Sequence, residues 1–420
     1  MSTIAARGWC PSALRPMETG DGYLVRLRVA NGSLSFALAD EIAVLSLRFG
    51  NGLIDLSARG NLQLRGVAAK GLDGLWARLA DVGLLDADPA VEATHNVTPS
   101  PLAGFDDSAA LDTRPLVAAL EARLTEETAL RALPAKFGFL VDGGGVAPLT
   151  GVEADVGLHA FVAGDRPRLA VRLGGSLAGN VSPDEAPDVA IRIGHAFLGL
   201  RADERRMGAL VERVGVAAIA RRASICADVD APAPPRPVDR RDLLGVHTLG
   251  GASFVGAAVA FGQLRAQSLR QLAERAERHG AADLRLSPWR AVFAVGLRTE
   301  AARALAGEVG DCGFIVEGDD PRLALAACSG RPACASAHAD VRSAALSLAP
   351  LLAGYKGMLH VSGCPKGCAH PARAPVTFVA AGEGYDLVEN GLARDEPSSR
   401  GLSLAALAAY LESHGVGAAG

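Results

Sequence analysis

In GYLVRLRV (22–29) apolar Val25, Leu27 and Val29 alternate with Arg26 and Arg28. That two-residue period is the signature of a strand with one buried face. Apolar residues then recur at helical spacing, at Leu38, Ile42, Leu45 and Phe49. The spacing predicts a helix over 38–49, stopped by Gly50. A second apolar run, ending in LQLRGV, predicts the next strand. The succession of strand, turn, helix, glycine turn and strand returns over 252–297, with a helix at 268–279 ended by Gly280.

The two stretches superimpose without a gap at a spacing of 230. Gly50 meets Gly280, Leu34 meets Leu264, Leu56 meets Leu286, Ser57 meets Ser287 and Gly66 meets Gly296. A period this long marks duplicated domains rather than a solenoid. Between the copies lies ADVDAPAPPRPVD (227–239), whose prolines predict an extended linker. The first copy is followed by a helix over 114–130, a strand in AKFGFLVDGGG, strands near 152–163, 168–174 and 187–193, and a polar helix through RADERRMGALVERVG. A similar but shorter order follows the second copy.

Composition changes little in this picture. At 420 residues, 49 % of them hydrophobic, the chain is long enough for several cores. Its net charge of −4 gives no electrostatic case for nucleic acid or a membrane surface. The N-terminus lacks the apolar stretch of a signal peptide, and no apolar run is long enough to span a bilayer. The cytoplasm is therefore the expected compartment, where seven cysteines are poor candidates for disulfides.

Four of those cysteines form a pattern. CSGRPAC places Cys328 and Cys334 six apart, and CPKGC places Cys364 and Cys368 four apart. Two thiolate pairs on glycine- and proline-rich loops suit an iron–sulfur cube. Zinc remains an alternative, although five residues between two ligands is a wide gap for it. Four buried thiols remain another. Cys10, Cys226 and Cys312 are isolated and read as buried thiols.

The basic residues are uneven between the copies. Arg26 and Arg28, and then Arg59, Asn61, Gln63 and Arg65, are expected to share a strand face in the first copy. The second copy has Gly256, Ala258, Trp289 and Val295 at the positions matching the four arginines. A row of guanidinium groups on one face suits a polycarboxylate ligand. Lys136 in LPAKF is a further candidate.

Together these features resemble the sirohaem-type nitrite and sulfite reductase family, through YLVRLRVANG, DLSARGNLQLRGV, SPLAGFDDSAALDTRP, LPAKF and HVSGCPKGC. The resemblance implies an α+β, internally duplicated nitrite/sulfite reductase-like fold. Each of its two pseudo-equivalent halves would carry a ferredoxin-like α/β half-domain (1–90 and 240–310) and a larger α+β domain (91–226 and 311–420). It implies that Cys328, Cys334, Cys364 and Cys368 hold a [4Fe–4S] cluster, with Cys368 bridging to sirohaem in the reductases. It places Arg26, Arg59 and Lys136 at anion-site positions, with Arg28, Gln63 and Arg65 as further ligand-binding candidates. Gly138 departs from the family pattern, standing where the reductases carry a second lysine.

The opening RGWCPSALRPMETGDGYLVRLR and the closing CPKGCAHPARAPVTFVAAGEGYDLVENGLA resemble the monooxygenase branch that acts on precorrin-3A in aerobic cobalamin biosynthesis. That branch implies dioxygen as cosubstrate, a mononuclear non-haem iron and NADH as ultimate donor; the reductase branch implies sirohaem and sulfite or nitrite. With no dinucleotide-binding glycine motif after a strand, a separate electron-transfer partner is expected. His95, His159, His338, His360 and His370 are available to an iron, and no spacing selects a triad among them.

Overall fold

The structure is a computed structural model that describes residues 10–85, 88–94, 96–225 and 231–414. It contains four five-stranded sheets, two small and two large. The first small sheet runs in the order Met17–Thr19, Gly22–Leu27, Leu62–Val67, Leu53–Leu56, Gln263–Arg265. The second runs Gly245–Leu249, Ala252–Ala258, Ala291–Leu297, Asp283–Leu286, Ser33–Leu34. Each small sheet therefore takes its last strand from the other half of the chain. Leu264 lies opposite Ile54, and Leu34 opposite Leu284.

The reason is burial. Alternation puts Val25, Leu27, Ile54, Leu62 and Leu64 on one face of the first small sheet, all at most 2 % exposed. One sheet with one helix cannot close that face alone. Helix Phe36–Phe49, begun by Ser35 whose Oγ accepts from the Leu38 amide at 3.3 Å, packs against helix Ala266–Arg278. The two sheets and two helices then enclose one common core that includes Ile42, Ile54, Leu269 and Leu284. The duplicated units are halves of a single folding layer.

The larger domains repeat a second topology. Strands Val97–Pro99, Phe139–Asp142, Val156–Ala163, Arg166–Leu173 and Ser176–Val181 form one sheet, its first two pairings parallel and its last two antiparallel. Strands Leu325–Ala327, Leu359–Ser362, Ala374–Ala381, Gly384–Gly391 and Ser399–Leu402 form the other, with the same sequence of pairings. The strand expected near 187–193 is instead inside helix Ala186–Leu200. Val189, Ala190, Ile193, Ala196 and Phe197 are buried there at helical spacing, a period that a seven-residue window reads as alternation. Of the polar helix expected through RADERRMGALVERVG, Met207–Val214 is helical; Gly215 ends it, and a separate helix, Val216–Arg222, follows.

What covers the outer faces of the small sheets explains the uneven charges. Phe254, Ala258, Phe293 and Val295 of the second sheet pack with Leu102 and Ala147 of the first large domain in an apolar cluster, with Trp289 against it. Gly256 stands where the first copy has Arg26 because a β-carbon there would lie 1.8 Å from the Leu243 carbonyl oxygen. The outer face of the first sheet keeps its polar residues and meets the cysteine loops of the second large domain.

Candidate functional site

Cys328 follows strand Leu325–Ala327, and Cys364 and Cys368 follow the neighbouring parallel strand Leu359–Ser362. Parallel neighbours deliver both loops to the same end of the sheet. The loops are then held together: the Gly363 amide donates to Cys328 Sγ at 3.2 Å, and Lys366 Nζ donates to Ser336 Oγ at 3.0 Å. Ser362 Oγ donates to the Cys364 carbonyl at 2.7 Å, and the Cys334 amide donates to the Gly330 carbonyl at 2.8 Å.

The duplication reaches this point. Three residues past the paired Val97 and Leu325 stand Ser100 and Cys328, and four past their partners Phe139 and Leu359 stand Gly143 and Gly363. The Gly143 amide donates to Ser100 Oγ at 2.8 Å, as the Gly363 amide does to Cys328 Sγ. The first copy keeps the loop geometry, with Ser100 and Gly144 where the second has Cys328 and Cys364.

All four loop cysteines are free. Burial pushes the Cys328 and Cys368 thiols up, and the neighbouring thiols push in the same direction. Four thiols on two loops held together are a donor set that suits a cationic centre. Among the described residues, no three His, Cys, Asp or Glu side chains gather around a point where a single metal ion would sit. Four thiols with five residues between Cys328 and Cys334 suit an iron–sulfur cube better than a zinc ion by residue type and spacing. No spatial grouping singles out a triad for a mononuclear iron among the described residues either. His95 and Cys226 lie outside them.

Opposite the loops is the polar face of the first small sheet. With the Gln63 amide oriented so that its oxygen faces Arg26, that oxygen accepts from Arg26 Nη2 and Nε at 3.0 and 3.1 Å. Burial pushes the Arg26 guanidinium below its ordinary value, while Cys10 and Glu92 beside it push the other way. Burial also lowers Arg59, with Cys10, Arg206, Arg26 and Asp155 as its charged surroundings. Arg59 Nη2 donates to the Lys136 carbonyl at 2.9 Å, and Lys136 is exposed. A β-carbon at Gly138 would lie in ordinary contact with the Asn96 carbonyl oxygen at 3.6 Å and Arg59 Nη1 at 3.8 Å.

Two expected ligand residues face elsewhere. Arg65 is 3 % exposed and forms a clasp: its Nη2 bonds Asp21 Oδ1 at 2.8 Å and the Ala333 carbonyl at 3.3 Å, and its Nη1 reaches Asp55 Oδ2 at 3.4 Å. It shares the strand face of Gln63, but at that point the face is covered by the Cys328–Cys334 loop. Arg28 lies beyond the strand end, donates to Asn96 Oδ1 at 3.1 Å and lines a separate cavity with Asn61.

A cavity of about 210 Å³ separates the polar face from the loops and is lined by Gln63, Cys328, Cys368, Arg290 and Arg342, among others. It shares Ala58 with a second cavity of about 350 Å³ that holds Arg59 and Trp289. Arg206, Arg290 and Arg342 carry no signal in the sequence, and Cys10, expected there as a buried thiol, is half-buried beside Arg26. No local period marks them, because their partners come from other domains.

The fold and site together define an internally duplicated α+β protein with an arginine-rich cavity beside a four-cysteine centre. The model of the nitrite/sulfite reductase ferredoxin-like half domain matches residues 15–82 and 247–311. That of the nitrite and sulphite reductase 4Fe-4S domain matches residues 90–225. The chain belongs to the nitrite/sulfite reductase family. A precorrin-3B synthase of Sinorhizobium sp is 34 % identical, over 99 % of this chain and 88 % of its own. A ferredoxin–nitrite reductase of Synechococcus elongatus is 27 % identical, over 89 % of this chain and 79 % of its own. The solved structure of the Mycobacterium tuberculosis NirA protein shares the fold, with a TM-score of 0.75 at 22 % identity, covering 93 % of this chain and 79 % of that one. Among the described residues no helix is long and apolar enough to cross a membrane.

Proposed function

We propose that this chain is an oxidoreductase that makes precorrin-3B from precorrin-3A, hydroxylating C20 and closing a γ-lactone in aerobic cobalamin biosynthesis. The observation that carries the reading is the shared cavity: Gln63, partner of Arg26, and the cysteines Cys328 and Cys368 line one space. The acetate and propionate arms of a tetrapyrrole match the charge of a wall that offers guanidinium groups. The full-length likeness to a precorrin-3B synthase supplies the reaction.

In this reading Cys328, Cys334, Cys364 and Cys368 hold a [4Fe–4S] cluster, which supplies one-electron transfer when bound. Arg26, Arg59 and Lys136 anchor carboxylates and fix the ring relative to that wall, which contributes orientation. Gln63 holds the Arg26 guanidinium in place. One atom of dioxygen enters the product and the other leaves as water, with two electrons and two protons from a reductant. Those electrons come from NADH through a separate carrier. The reaction is placed in the cytoplasm.

The test is purified protein, spectroscopy and isotope. The expected result is a cluster spectrum without sirohaem bands, and a product from precorrin-3A carrying one labelled atom from ¹⁸O₂. Sirohaem in the purified protein, with reduction of sulfite or nitrite and no labelled product, overturns the reading.

A further inference from the structure

His360 is fully buried, and neither ring nitrogen has a hydrogen-bond partner. Buried polar groups are nearly always paired, so two unpaired nitrogens on one buried ring call for a partner. The position of the ring shows what the nitrogens are for. Leu359 and Val361 on the same strand point into the apolar core of the large domain. Alternation therefore sends His360 and Ser362 to the opposite face, where Ser362 Oγ is bonded to the Cys364 carbonyl. A β-carbon on Gly367 would lie 3.7 Å from His360 Cε1, so the ring rests against the turn between Cys364 and Cys368. The His370 ring stands edge-on to it, with centroids 5.8 Å apart. An imidazole in that position has an N–H to give.

We propose that His360 is a positioning residue of the iron–sulfur centre, its N–H donated to a sulfur of the cluster behind the Cys364–Cys368 turn. This rests on the reading that the four cysteines hold a cluster. It assigns no fifth ligand, because the four thiolates complete the cube. Hydrogen bonds to cluster sulfur favour the more negative, reduced state and raise the potential.

The experiment uses the holoprotein labelled with ¹⁵N-histidine. Pulsed EPR of the reduced cluster should show a weak imidazole ¹⁵N coupling and an exchangeable proton. Both should vanish in His360→Leu and persist in His370→Leu. The potential should fall in His360→Leu and recover in part in His360→Gln, whose amide can donate, at unchanged iron and sulfide content. Absence of the ¹⁵N coupling in the wild-type protein overturns the inference, even if His360→Leu does not fold. An unchanged potential in a fully loaded His360→Leu protein does the same. Wild-type protein that binds no iron and sulfide overturns the cluster reading itself, a distinct failure.

Discussion

Replacing Arg65 with methionine keeps most of the side-chain volume and removes the charge that joins Asp21, Asp55 and the Ala333 carbonyl. Arg65, Asp21 and Asp55 have side chains only 3, 8 and 13 % exposed, so little solvent is available to replace the lost partner. Breaking a buried ion pair from one side costs about 3–5 kcal/mol, most of it the penalty of the charge left behind. Asp55 keeps Arg342 at 3.4 Å and Gln263 at 2.9 Å, so Asp21 bears most of the loss and the low end, about 3 kcal/mol, applies. Because Arg65 also bonds the loop carrying Cys334, amide exchange over 330–336 should rise. Urea unfolding of the holoprotein, followed by the transition midpoint, reads the stability; tetrapyrrole titration reads the pocket. The expected result is a clearly lower midpoint with unchanged tetrapyrrole affinity. An unchanged midpoint with weakened tetrapyrrole binding refutes the reasoning and returns Arg65 to the ligand face.

Arg59→Ala should act in the opposite way, weakening tetrapyrrole binding by about 1.5–3 kcal/mol, roughly ten- to a hundredfold, for one lost charged hydrogen bond; iron and sulfide content should not change, and fluorescence titration with an iron assay checks both. Gly256→Ala should destabilise, since its β-carbon would strike the backbone at Leu243 and overpacking of this kind costs about 1–3 kcal/mol; an unchanged thermal midpoint would contradict that close approach. Hydrogen bonds from His279, and then Arg278, with the positive charge beside them, hold the Glu308 carboxyl below its ordinary value. Its contribution is therefore present above the unfolded-state value near 4.5 and lost as pH falls through the lower folded value. Glu308→Gln should be less stable than wild type at neutral pH, and urea midpoints should converge in acid.

The elements that were legible were those with a local cause. The repeat, the two amphipathic helices and the strand alternation follow from side-chain spacing. The cysteine loops were legible because ligand chemistry demands both residue type and interval. Helix Ala186–Leu200 was misread because its buried residues match both periods over a short window. Arg65 was placed with Arg26 and Gln63 because they do share a strand face; what separates their roles is the domain laid over each end of it. His360 carried no signal, since a lone histidine in a strand acquires meaning only from being buried without a partner.

By itself the sequence determined that the chain is two copies of one plan, that only the second carries four thiols, and that only the first keeps a charged face. The tertiary structure decided that each copy completes the other's sheet, and that the charged face of one meets the thiol loops of the other. It also decided which of the arginines face a cavity and which are locked in a clasp. The physical reason is that period and residue type act within a few neighbours along the chain. Pairing of Leu34 with Leu284, or of Arg65 with Ala333, depends on surfaces brought together only when the shared core closes.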